Sequence, residues 1–238
     1  MKTIKIILFA SFIYTSAFAF NLADQVRTYE TRYQLNTRTQ KLVDNQGDGY
    51  DALYGTRNLR TVLRGIMYRG GANNAYNKFQ KRSNMNPLPD MGLKNLCQQG
   101  FGSAVYLYTT NFSTAPHSFS CQNLQSQNNN IIYKQMTALD EKNESAFIEM
   151  IYKAIKGQIP SPLYFHCWNG WHASGLVSTL ALRQFCGLNT QEALNYWSQN
   201  TDGHSDGYDA IKKRIQNFKV YPQFQITDTE SREICLTN

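Results

Sequence analysis

The chain contains no Cys-x-x-Cys and no His-x-x-x-His spacing, so it offers no frame for a zinc site. It has no internal repeat and no stretch of linker composition, which argues for one domain. It has no recognisable nucleic-acid motif. Its 24 Lys and Arg residues are scattered, and the one dense cluster, Lys212-Lys213-Arg214, reads as a solvated helix face. After the first residues no apolar run is long enough to span a bilayer. Asp44-Asn45-Gln46-Gly47-Asp48-Gly49 is the nearest approach to a calcium loop. Gln46 at its third position and Gly55 at its twelfth lack the acids such a loop needs, so a turn is expected. No metal and no cofactor is expected.

What is present begins with residues 1–19. Lys2 and Lys5 precede the apolar run Ile6 to Tyr14, and Ala17-Phe18-Ala19 has the form of a cleavage site. This reads as a secretory signal peptide, implying a secreted or periplasmic protein with no membrane attachment once the signal is removed. The full chain of 238 residues, 42% hydrophobic, suits a single domain with a full core. Net charge is +7, falling to +5 without Lys2 and Lys5, a weak bias toward anionic partners. Export also means that disulfides persist. The five cysteines, Cys97, Cys121, Cys167, Cys186 and Cys235, leave one thiol over, and the other four allow three pairings once Cys167 is set aside.

Cys167 is set aside because of its surroundings. Leu163 to Phe165 is strand-like, Cys167 opens a short loop around Gly170, and Ala173 to Cys186 is long enough for about four helical turns. A loop running from a strand into a helix N-terminus aims backbone N–H groups at one spot, an anion site whose dipoles also favour a thiolate. Cys167 also reads as a buried structural cysteine.

The run His166-Cys167-Trp168-Asn169-Gly170-Trp171-His172-Ala173-Ser174 resembles the phosphate loop His-Cys-x-x-Gly-x-x-Arg-Ser/Thr of the protein-tyrosine and dual-specificity phosphatase superfamily. His166, Cys167, Gly170 and Ser174 match; Ala173 stands where the family has its phosphate-gripping arginine. The segment Gly65 to Gly71, with Tyr68 and Arg69, and the helix–glycine–strand order from Pro89 to Tyr108 also resemble the family, over about residues 57–218. Tyr108-Thr109 replaces the charged pair usual after that strand.

The resemblance implies an α/β fold: a central, mostly parallel sheet with helices on both faces, dual-specificity-phosphatase-like. Residues 20–56 would be an N-terminal extension and 57–238 the phosphatase-like domain. The implied substrate is a phosphorylated small molecule or protein. Cys167 would be the nucleophile, His166 the loop support that lowers the thiol pKa, and Ser174 the hydroxyl that aids thiolate departure. Asp140, upstream by one helix and one strand, would be the general acid, with Glu141 behind it; Asp140 reads equally as a helix cap. Trp168, Asn169, Gly170, Trp171, His172 and Ala173 would line the phosphate site. Protonated His172, or Arg69 brought in by the fold, would supply part of the missing charge. Trp168 and Trp171 read either as walls of a narrow pocket or as core.

The alternatives are a catalytically impaired relative that binds an anion or a partner, and a thiol hydrolase or transferase acting on acyl groups through Cys167 and a histidine base. Cys97 ends a predicted helix and Cys121 lies in the loop beyond the next strand; Cys186 ends the helix after the cysteine loop and Cys235 is in the tail. The expected pairs are therefore Cys97–Cys121 and Cys186–Cys235.

Overall fold

The computed structural model describes residues 20–74 and 87–236. Six strands form one sheet: β1 (Thr56–Leu63), β2 (Met67–Ala72), β3 (Ser103–Tyr106), β4 (Ser118–Gln122), β5 (Asn128–Gln135) and β6 (Leu163–Cys167). Their spatial order is β1-β2-β6-β3-β5-β4. The central pairs β2–β6, β6–β3 and β3–β5 are parallel, and the two outer pairs are antiparallel. β6 is buried along its whole length, as an apolar strand covered on both faces must be.

Helices cover both faces. The helices are α1 (Leu22–Tyr33), α2 (Asp90–Gln98), α3 (Glu144–Ile155), α4 (Ala173–Cys186), α5 (Thr190–Gln199), α6 (Asp209–Asn217) and α7 (Asp228–Ile234). One apolar cluster joins Phe165, Cys167 and Leu176 to Phe147, Ile151, Trp197 and Ile215 from α3 to α6. The other joins Tyr68, Tyr106 and Tyr164 to Tyr29 and Tyr33 of α1 and Leu93 and Leu96 of α2. Residues 20–56 are thus built into the second core.

The sequence suggests helices around Leu22 to Tyr33, from near Pro89 to Gly100, from about Asn143 to Lys156, from Ala173 to Cys186 and from Tyr208 to Phe218; α1 and α4 lie there, and α2, α3 and α6 lie within one or two residues of those bounds. Four features differ. Thr109 to Asn130, expected as one polar loop, contains β4 and the start of β5. β4 is an edge strand whose inward side chains are Phe119 and Cys121 alone, too short an alternation to stand out from the polar stretch around it. Thr190, whose hydroxyl makes it the expected cap of α5, is instead its first residue, and Asn189 caps the helix in a capping box with Glu192. The tail folds into α7, capped by Thr227 and Glu230. Gly70 and Gly71 do not end β2; they lie within it, for a reason the site explains.

The disulfides are Cys97–Cys121 and Cys186–Cys235, and Cys167 is a free thiol. The first ties the edge strand β4 to α2. The second ties the tail to the end of α4. The Asp44 turn closes on itself: its Oδ1 accepts from the amides of Gln46 and Asp48 at 2.7 and 3.0 Å.

Candidate active site

Cys167 ends β6 at the carboxyl edge of the parallel strands, 1% exposed, with its Sγ 3.5 Å from Ser174 Oγ on the first turn of α4. The intervening loop is held from behind. Trp168 C=O accepts from the Ala72 amide at 3.1 Å, and Asn169 C=O from Asn58 Nδ2 at 2.7 Å. Gly170 and Trp171 C=O both accept from Arg69 Nη2, at 2.6 and 2.8 Å. A trans peptide points its N–H opposite to its C=O. Four consecutive carbonyls anchored on the sheet side therefore turn the amides of Asn169, Gly170, Trp171 and His172 the other way, and a cradle of N–H groups results.

The glycines make this approach feasible. A Cβ on Gly71 would meet Trp168 O at 2.3 Å, and one on Gly170, which has φ +79°, would meet Gly70 C at 2.6 Å. Asn58 reaches the loop from a bulge in β1 with φ +47°, a conformation Asn tolerates better than other side chains. Asn45 of the extension accepts from the same Asn58 amide group at 2.9 Å.

His166 faces the opposite side of β6 from Cys167, as strand alternation demands. It is fully buried among Tyr106, Tyr133 and Tyr164. Leu88 N–H donates to Tyr133 Oη at 2.9 Å, Tyr133 O–H donates to His166 Nε2 at 2.9 Å, and Nδ1–H donates to Cys167 C=O at 3.3 Å. Burial pushes the His166 pKa down to about 3. The ring is neutral and brings no charge to the thiol; it holds the Cys167 carbonyl.

Arg69 departs from expectation in the same way. It is fully buried under the loop, and its Nη2 holds loop carbonyls instead of facing an anion. Its cross-strand neighbour Arg60 is buried with it, and burial together with Arg69 lowers the Arg60 pKa to about 10. Ala173 is 1% exposed and belongs to the apolar core.

Cys167 opens onto a cavity of about 560 Å³. His172 lines it, with Nε2–H donating to His204 C=O at 2.7 Å and its ring stacked on Tyr208 at 3.7 Å. That bond leaves Nδ1 as the lone-pair nitrogen. Burial lowers the His172 pKa, opposed by the hydrogen bond to His204 C=O and helped by the charges of His204 and Arg69, so a protonated imidazole is disfavoured at rest. Trp171 donates its indole N–H to Asp202 Oδ2 at 3.1 Å and stacks on His204 at 4.1 Å. Asp202 also accepts from Lys41 at 2.7 Å. Burial works to raise its pKa, but Lys41 and Trp171 outweigh it and hold the carboxyl low. Trp168 stands at the rim, 43% exposed, edge-on to Tyr108 at 5.6 Å.

Asp140 lies outside the cavity. It is exposed, and its Oδ1 accepts from the Lys142 amide at 3.0 Å as the cap of a short 3-10 helix. Glu141 faces Arg214 at 3.8 Å, on a different groove. Residues 202–207, which read in the sequence as a polar turn, supply the far wall with His204 and Asp206, joined by Tyr208 from the expected start of the next helix. Its density of His, Asp and Gly is the only hint the sequence carries. Among the described residues no cluster of His, Cys, Asp and Glu could hold a metal ion, and no helix is long and apolar enough to cross a membrane.

No family model matches the chain, and no curated protein does. Among solved structures it is similar to Tk-PTP in its active form, with a TM-score of 0.44 and 13% identity, covering 67% of this chain and 96% of that one. It is similar to TpbA of P. aeruginosa, TM-score 0.43 and 15% identity over 67% and 86% of the two chains. It is also similar to the core catalytic domain of the PP-IP phosphatase SIW14 of S. cerevisiae, TM-score 0.44 and 13% identity over 68% and 85%. In the path of its backbone, over about two thirds of its length, the chain is similar to structures of the protein-tyrosine and dual-specificity phosphatase type.

Proposed function

We propose that this chain is a cysteine-dependent hydrolase of phosphate monoesters that works without a loop arginine. The observation that carries the reading is the anchoring of the Trp168, Asn169, Gly170 and Trp171 carbonyls from behind, which turns four amides into an anion cradle next to Cys167. Such preorganised donors stabilise charge that develops in a transition state.

In this mechanism the phosphoryl oxygens sit in the cradle. Cys167 Sγ attacks phosphorus; the S–P bond forms and the P–O bond to the alcohol breaks. His172, neutral at rest with Nδ1 as its lone-pair nitrogen, takes the thiol proton as the sulfur attacks and passes it on to the departing alkoxide, the acid step that the family resemblance gives to Asp140. Water then attacks the phosphocysteine, loses its proton to the imidazole, and releases inorganic phosphate. Ser174 O–H, 3.5 Å from Sγ, donates to the leaving thiolate.

A second reading, a site that holds its anion without turnover, draws on one observation: among the described residues no Lys or Arg lines the cavity. Loss of one such transition-state donor costs on the order of 10²–10³ in rate. The test is hydrolysis of an aryl phosphate by the native protein and by Cys167→Ser, with alkylation of Cys167 followed in the presence of phosphate or vanadate. We expect slow turnover, abolished in Cys167→Ser, and shielding of Cys167 by both anions. Shielding without turnover selects the binding reading. Neither shielding nor turnover rejects phosphate chemistry at this site.

A further inference from the structure

We infer that the group esterified to the phosphate is a cationic alcohol, so that the ligand is a phosphorylated amino alcohol of the phosphocholine kind. This rests on the phosphate reading above and concerns the outer part of the same cavity. Its walls there are aromatic faces. Trp168 and Tyr108 meet at 5.6 Å with their planes at 73°, which forms a corner. Opposite stands Tyr208, 38% exposed, backed by the His172 ring at 3.7 Å. Tyr108 links the two: its hydroxyl, kept protonated chiefly by burial, feels both Cys167 at the cavity floor and Tyr208 across it.

Charge decides what these faces receive. The described lining contains one carboxylate, Asp206, two residues before Tyr208, and no Lys or Arg. A second anionic group in the ligand would meet aromatic faces and a carboxylate, which repel it. A quaternary or primary ammonium would meet the negative faces of Trp168, Tyr108 and Tyr208, with Asp206 to balance it, and aromatic corners of this kind bind such cations. Such a ligand places its anion on the amides at the floor and its cation at the rim. The cavity, about 560 Å³, admits a ligand of this length. Trp168 Nε1–H, held by Tyr106 Oη at 3.2 Å, keeps the exposed indole in place before anything binds.

The experiment measures binding to the Cys167→Ser protein by calorimetry. The ligands are phosphocholine, its carbon isostere in which the quaternary nitrogen is a quaternary carbon, glucose phosphate, choline chloride, and phosphatidylcholine vesicles. Phosphate shielding of Cys167 in the native protein is run beside it and tests the phosphate reading alone. We expect phosphocholine to bind about tenfold more tightly than the isostere, the scale of a partly desolvated cation–π contact. Trp168→Ala and Asp206→Asn, both at exposed positions that a folded protein tolerates, should each erode that ratio. Equal affinity for the isostere, or tighter binding of glucose phosphate, overturns the inference and leaves the phosphate reading intact. Vesicle capture with no affinity for free phosphocholine also overturns it, since a diester headgroup would then be the ligand. Binding of choline chloride without phosphate shielding keeps the cation site and rejects the phosphate reading. Failure of both rejects both.

Discussion

Arg69 Nη2 donates to Gly170 C=O at 2.6 Å across 101 positions of sequence, and the same nitrogen holds Trp171 C=O at 2.8 Å. One fully buried guanidinium therefore sets the orientation of half the cysteine loop, from the side away from the cavity.

Arg69→Lys is the first test of that role. Lysine keeps the charge and loses the planar fork. Each bond to a charged donor is worth roughly 1.5–3 kcal/mol, so denaturant unfolding should show a loss of about that size. Phosphate should then no longer shield Cys167 from alkylation. Full shielding in a folded Arg69→Lys protein would mean that the loop does not need its anchor.

Ala173→Arg would restore the family motif, and on sequence alone it is expected to raise phosphatase activity about tenfold. The packing of Ala173 reverses that expectation. Its methyl group lies in the apolar core at 1% exposure, so an arginine there overfills the core and buries a charge. We expect a loss of about 3 kcal/mol or more and no gain in turnover. A stable Ala173→Arg protein with higher activity would show that this position opens to the anion after all.

Stability should fall in mild acid. The His166 pKa drops from 6.5 to about 3 on folding and that of His172 also drops, both through burial. Below about pH 6.5 the unfolded chain takes up protons that the folded chain refuses. The contribution is thus complete above pH 6.5 and is lost as pH falls toward 3. Melting followed between pH 7 and pH 4.5 should show a declining Tm, with a limiting slope of about 1.4 kcal/mol per pH unit for each histidine. His166→Gln should flatten the curve, because glutamine does not titrate; an unchanged slope would place the proton uptake elsewhere.

Removing the Cys186–Cys235 bond by double substitution to Ala should cost about 2–4 kcal/mol, because the tail that carries α7 is tied down by it. Without reductant, peptide mapping should find Cys167 as the only alkylated cysteine. Label at Cys97 or Cys121 would contradict the pairing.

The resemblance read from the sequence anticipates the sheet class, the positions of the cysteines along the chain anticipate the two disulfides, and the run from Leu163 to Cys186 anticipates the strand–loop–helix that presents Cys167. Gly170 is legible because a positive φ and a close backbone approach admit no other residue. Asp140 is the opposite case. Its place in chain order suggests an acid, while its carboxylate is spent on the Lys142 amide. His204 and Asp206 pass for a turn, and Tyr208 for the start of a helix, because nothing within the segment shows which wall it faces.

The amino-acid sequence by itself determined what depends on neighbours along the chain. The run of small and apolar residues from Ala173 to Cys186 placed α4, Gly170 marked the loop, and the odd cysteine was singled out by its own motif. The tertiary structure alone decided which partners those residues meet: Arg69 beneath Gly170, His204 against His172, Asn45 of the extension behind Asn58. The reason is physical. Backbone preferences act over a few residues, whereas a side chain's partner is set by sheet register and by whatever packs opposite. Arg69 thus turned from an expected anion ligand into the anchor that shapes the cradle.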